Sequence, residues 1–208
     1  MTRHVHRCAP GQQRDENSRA MDRARERWGV RRALLEESPA AGTAGDLARD
    51  LQRHLRHLPV IMLHDRLVPA DGLLVAHLAI APGGVTVIEA AADLAPPLRA
   101  ERLRGVFGAR AEVLRDAAGA DRSAVLAPVR ERVIALRRLV ADAAPVEGAL
   151  CLTSGAVPPA VRPLLVGGIL VAGPKASAVF AARQGALTDI EVASLVEHLH
   201  ASCPPALK

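Results

Sequence analysis

Residues 60–91 read VIMLHDRLVPADGLLVAHLAIAPGGVTVIEAA, and they divide into three apolar runs separated by two turns. The runs are Val60–His64, Leu73–Ala81 and Val85–Ala90. Pro69-Ala-Asp-Gly72 and Pro82-Gly-Gly84 separate them. Proline presets φ and glycine accepts positive φ, so both breaks suit tight connections between strands. The runs are apolar almost throughout, and the third is rich in β-branched residues. Such strands belong to a sheet covered on both faces. The helices that cover it must come from elsewhere in the chain.

The flanking sequence supplies them. Leu47, Leu51 and Leu55 recur every four residues and predict a helix over about 44–57. Leu126, Val129, Val133, Leu136 and Val140 predict a second helix over 125–140, with Pro128 tolerated in its first turn. Glu147–Thr153 reads as a strand, and Val166–Val171 as another that passes through Gly167-Gly168. A helix opens after Gly173-Pro174-Lys175 and runs to about Ala182. Thr188-x-x-Glu191 is a capping box for a last helix to about Ser202, with Ile190, Leu195, Val196 and Leu199 as its buried side. Arg99–Ala118 is rich in arginine and alanine and reads as helix-prone. The expected fold is α/β, a central mixed sheet with an antiparallel three-stranded start and helices on both faces.

LHDRLVP, an apolar strand carrying His77, and then APGGVTVIEA resemble the nuclease-related domain (NERD) family of the PD-(D/E)xK nuclease class. The family's run is a strand ending in LHDR-x-VP, then N-I-D-H, then a GPxGV turn, then V-I-[DE]-x-K. The frame and spacing match here, and Glu89 stands at the family's carboxylate. Ala76 stands where the family has its aspartate, and Ala91 where it has its lysine. Gly42-Thr-Ala-Gly45-Asp46 resembles the family's GAxGE, which puts Asp46 at the place of a glutamate near the metal. The resemblance covers roughly residues 42–203 and implies a restriction-endonuclease-like sheet.

Phosphodiester cleavage at neutral pH needs a metal to polarise the phosphoryl oxygen and to acidify a water. Mg²⁺ prefers oxygen ligands from one or two carboxylates plus waters and phosphate. Alanine at 76 and 91 can neither ligate a metal nor move a proton, and groups that act as a unit lose most of the rate together. The resemblance therefore implies a domain that has lost cleavage, needs no cofactor, and works by binding DNA or a protein partner. A weak Mg²⁺- or Mn²⁺-dependent nuclease built on Asp46 and Glu89 is the enzyme alternative. A third is a structural or self-associating protein whose former site is apolar.

Charge bears on the choice of partner. Residues 1–37 carry nine arginines against six acids and read as a polar, arginine-rich tail, in part helical over 22–37. Residues 38–208 form the single domain, and their 18 basic residues against 16 acids leave it close to neutral. Within it, 99–138 hold ten arginines and five acids, and Arg130, Arg132, Arg137 and Arg138 lie mostly off the apolar stripe of their helix. They are the candidates for phosphate contact, against the plainer reading of a solvated face. The absence of tyrosine, with one tryptophan and two phenylalanines, weakens any reading that needs a surface of stacked aromatics for single strands.

Other features add little chemistry. Cys8, Cys151 and Cys203 have no metal or redox spacing and suit a reducing cytoplasm. The N-terminus MTRHVHRCAPG has no apolar run of the kind a signal peptide needs. The run Leu164–Ala172 is far shorter than the roughly 20 residues of a membrane helix, so no membrane span is expected. His4-x-His6 and His198-x-His200 have no acid or cysteine at ligand spacing. His77 reads as a hydrogen-bonded strand residue and Lys175 as a helix-start residue. Asp65 and Arg66 read as fixing their turn through local hydrogen bonds.

Overall fold

A computed structural model of the chain describes residues 43–94, 97–104, 110–153 and 162–206. The tail, with its arginines, His4-x-His6 and Cys8, lies outside the described residues. The elements are α1 (Thr43–Leu55), β1 (Ile61–Val68), β2 (Leu73–Ala81), β3 (Gly84–Ala91), β4 (Arg99–Arg104) and β5 (Arg110–Arg115). There follow α2 (Ala127–Val140), β6 (Val146–Leu152), β7 (Leu164–Val166), β8 (Ile169–Ala172), α3 (Pro174–Ala181) and α4 (Asp189–Ser202). Six strands form one mixed sheet in the order β1-β2-β3-β6-β8-β7, with β1, β2 and β3 antiparallel and β3-β6 and β6-β8 parallel. This is the α/β architecture expected from the sequence.

Each face of the sheet carries two helices. On one face Leu47, Leu51 and Leu55 of α1 pack with Ala79, Ile88, Ala149, Cys151 and the small residues Ala178 and Ala181 of α3. Burying a leucine side chain contributes about 1.5–3 kcal/mol, so the four-residue spacing of the leucines is what seats α1. On the other face Gly148 of β6 lets α2 in close. A Cβ there would lie 2.6 Å from Val129 Cγ1 and 2.7 Å from Ile169 Cδ1. Beside α2 lies α4, where His198 Nε2 sits 3.4 Å from the Leu139 carbonyl oxygen. The capping box holds: Glu191 N–H donates to Thr188 Oγ1, and Thr188 N–H donates to Glu191 Oε2 at 2.7 Å.

Four expectations need correction. Residues 99–118 are not helical: β4 and β5 form a two-stranded antiparallel hairpin. Their helix-forming composition loses to cross-strand ion pairs, Arg115 Nε–Glu101 Oε2 at 2.5 Å and Arg102 Nε–Glu112 Oε1 at 2.9 Å. Glu112 also accepts the Gly167 N–H at 3.0 Å, which ties the hairpin to the sheet. Residues 164–172 are two strands, because Gly167 (φ 56°) and Gly168 (φ 80°) make a two-residue turn of the kind that needs positive φ twice. Ile190 is 82% exposed, and Val192 takes its place on the buried side of α4. Finally, Arg66 and Asp65 reach a distant segment. Arg66 Nη1 donates to the Cys203 carbonyl oxygen at 3.4 Å, and the Asp65 carbonyl accepts from Ala206 N–H at 2.7 Å. Arg66 is fully buried and lies at the C-terminal end of α4, where a cation suits the helix dipole.

Among the described residues, no helix is long and apolar enough to cross a membrane.

Candidate functional site

The site implied by the sequence falls where β2 and β3 part company. The β2–β3 ladder pairs His77 with Ile88, and the next positions in register are Ala76 and Glu89. There the Ala76 N–H is aimed at the Glu89 side chain, with Oε1 at 3.4 Å. On the other side of Ala76, the β1–β2 ladder pairs His64 with His77 and Arg66 with Val75, and Asp65 between them has a φ of 50°. Both ladders are therefore interrupted at Ala76. Alternation puts Glu89 and Ala91 on one face of β3, the face covered by α2.

Arg132 reaches Glu89 from α2. Its Nε lies 3.1 Å from Glu89 Oε1 and donates to the Leu74 carbonyl oxygen at 2.6 Å, while Nη1 donates to Pro128 O at 2.9 Å. The two side chains are 20% and 16% exposed, so the pair is largely withdrawn from water. Burial pushes the Glu89 carboxyl above its ordinary range, and Arg132 and the Ala76 N–H pull in the opposite direction without cancelling it. A guanidinium thus stands against the Glu89 carboxylate.

This donor set does not fit a divalent metal. Mg²⁺ seeks several oxygen ligands in near-octahedral geometry. Here one carboxylate is bound to a fixed internal cation, and Ala76 and Ala91 beside it present methyl groups. Asp46 does not complete the set. It sits exposed in the first turn of α1, ion-paired with Arg49. The helix α1 packs on the sheet face opposite the one that carries Glu89. The structure brings Glu89, Ala76 and Arg132 together and leaves Asp46 apart from them. No cluster of three or more metal-ligating side chains occurs among the described residues.

The other arginines of α2 lie nearer the surface but also have partners within the protein. Arg137 donates through Nε and Nη2 to the Val146 carbonyl oxygen, at 3.1 and 2.9 Å. Arg130 lies against the Gly167 turn, with Nη2 2.5 Å from where a Cβ would stand. Arg138, 72% exposed, pairs with Asp71 at 3.4 Å. Lys175 is exposed at the start of α3.

Two arrangements were not foreseen from the sequence. One is the Arg132–Glu89 pair. The other is a buried histidine pair on the α1 face: His64 Nδ1 and His77 Nδ1 lie 2.9 Å apart, with the rings nearly perpendicular. A signal for the histidines was present. The turn at residues 69–72 is centred between Ala70 and Asp71, and His64 and His77 are equidistant from that centre, so the register sets them opposite. Comparison of the chain with family models, with curated proteins and with solved structures gives no match.

Proposed function

We propose that residues 38–208 form a nuclease-related domain of the NERD type that has exchanged metal-dependent cleavage for binding. The observation that carries this reading is the Arg132–Glu89 pair beside Ala76 and Ala91. An internal cation neutralises the carboxylate that a metal would need, and neither neighbouring motif position offers a ligand or a proton carrier. The alternative of a two-carboxylate nuclease draws no support from the placement of Asp46.

The partner supported better is a protein. Arg132 and Arg137 are engaged internally, and Arg102, Arg115 and Arg122 of the hairpin region are held by Glu112, Glu101 and Asp116. Paired arginines in a nearly neutral domain leave a modest field for phosphates. A reducing cytoplasmic setting belongs to the same reading, since Cys151 and Cys203 are buried free thiols.

The test incubates the purified chain with single- and double-stranded DNA in Mg²⁺ and in Mn²⁺, beside Glu89→Ala. No cleavage by either protein is expected. Cleavage that disappears in Glu89→Ala overturns the proposal. DNA binding that falls steeply with salt would make nucleic acid the partner, because phosphate contacts release counterions.

A further inference from the structure

On the reading that the domain acts by binding a protein, we propose that the Glu89–Arg132 pair docks a primary carboxamide, the side chain of an asparagine or glutamine on that partner. The pair is joined through a single contact. A guanidinium and a carboxylate that meet squarely share two parallel N–H···O bonds. Here Arg132 Nε lies 3.1 Å from Glu89 Oε1, and no second bond links Nη2 to Oε2. Nε and Nη1 donate to the Leu74 and Pro128 carbonyl oxygens, and Oε1 also faces the Ala76 N–H. Among the described residues Nη2 and Oε2 have no hydrogen-bond partner, and neither atom is sealed from water. The pair thus turns one donor and one acceptor outward, side by side.

Both groups are held before any partner arrives. Two carbonyl oxygens fix the guanidinium, and the strand β3 and the Ala76 N–H fix the carboxylate. Little side-chain freedom is left to lose on binding. Ala76 and Ala91 are partly exposed and bring only methyl groups, so nothing longer than a methyl overhangs the pair from those positions. Leu74, whose carbonyl anchors Arg132, is 46% exposed and adds apolar surface at the rim. A small polar point within apolar surface is the composition of a protein interface centre.

The chemistry of the occupant follows from the charges and the spacing. A guanidinium and a carboxylate together carry no net charge. An anion drawn by Arg132 is repelled by Glu89, and a cation meets the reverse. A neutral group with a donor and an acceptor on one edge satisfies both. A trans peptide bond points its N–H and C=O in opposite directions and cannot bridge two neighbouring atoms. A primary carboxamide has an N–H on the same side as its oxygen. Its oxygen accepts from Arg132 Nη2 while that N–H donates to Glu89 Oε2.

The experiment follows the full chain by proton–nitrogen NMR at pH 7, reading the Arg132 Nε–H and Ala76 N–H signals. Acetamide, N-methylacetamide, uridine or inorganic phosphate is added in turn. Acetamide is expected to shift both signals saturably, and the trans N-methylacetamide to bind about fivefold more weakly, as the loss of one hydrogen bond implies. Glu89→Gln removes the outward carboxylate and Arg132→Lys removes the fork, and each should abolish the preference for acetamide. Where one variant fails to fold, the other serves. Equal binding of the two amides, or no shift with acetamide, would overturn the carboxamide proposal while leaving the loss of cleavage untouched. Tighter binding of phosphate, or of uridine with its own N–H and C=O on one edge, would give the site to nucleic acid and overturn both the carboxamide and the protein partner.

Discussion

Arg132 Nε lies 3.1 Å from Glu89 Oε1, and this contact joins the middle of α2 to the C-terminal half of β3 through a pair of opposite charges. A carboxylate so placed is costly without its partner, because most of its hydration has been removed. The partner is worth less than in a dry interior, since both groups keep some contact with water.

Arg132→Met tests this directly. The expected loss is about 1–3 kcal/mol at pH 7, read as a lower urea midpoint at unchanged slope. The pH dependence has a sign. The Glu89 carboxyl is already raised in the folded state, so its share of stability is greatest at low pH and declines as pH rises through the folded pKa. Removing Arg132 raises that pKa further. The gap between the two proteins should therefore widen from pH 4 to pH 7, and a constant gap would show that only packing was lost.

Ala76 and Ala91 are each partly exposed, so charge can be returned to them. Ala91→Lys should stay within about 1 kcal/mol of the unaltered protein. Ala76→Asp should cost roughly 1–2 kcal/mol through repulsion from Glu89. Together they should show a favourable coupling of about 0.5–2 kcal/mol in a double-mutant cycle. A loss above about 3 kcal/mol for Ala91→Lys alone would mean that the position is dry when folded.

Gly148 sets how closely α2 sits on the sheet. Gly148→Ala puts a methyl 2.6 Å from Val129 Cγ1 and 2.7 Å from Ile169 Cδ1. Both neighbours are packed branched side chains, so the expected cost is about 1–3 kcal/mol. The shift of α2 should also disturb Arg132, which makes the effect less than additive with Arg132→Met. Simple additivity in the double variant would separate the two features.

The buried thiols should be inert. Burial pushes Cys151 up to about 12, and Cys203 also above its ordinary value. In a Cys8→Ser background, a thiol reagent at pH 8 should label neither residue in the folded protein and both in urea. Rapid labelling of the native form would contradict the burial of β6 or of the end of α4.

The antiparallel start, α1, α2, β6 and the cap of α4 were legible because each rests on local periodicity or turn chemistry. Residues 99–118 were not, since arginine, alanine and glutamate favour a helix until cross-strand partners exist, and those partners are a property of the pairing. Gly167-Gly168 was legible as glycine but not as a turn, because it interrupts an apolar run with no polar break. At the site, alanine at positions 76 and 91 could be read in the letters. The arrival of Arg132 could not, for it depends on how α2 seats over the sheet, where Gly148 meets Val129 and Ile169.

The pairing of residues 204–206 with β1 has a bearing on how the protein behaves in bulk. Leu67 N–H bonds to the Pro204 carbonyl oxygen at 2.9 Å, and Ala206 N–H to that of Asp65 at 2.7 Å. The outer strand of a sheet is a template for pairing with a second chain, and prolines laid along it deny that template to newcomers. The short segment after α4 thus occupies the Asp65–Leu67 part of that edge. Deleting it would free the backbone groups of Asp65 and Leu67 to pair with a second chain.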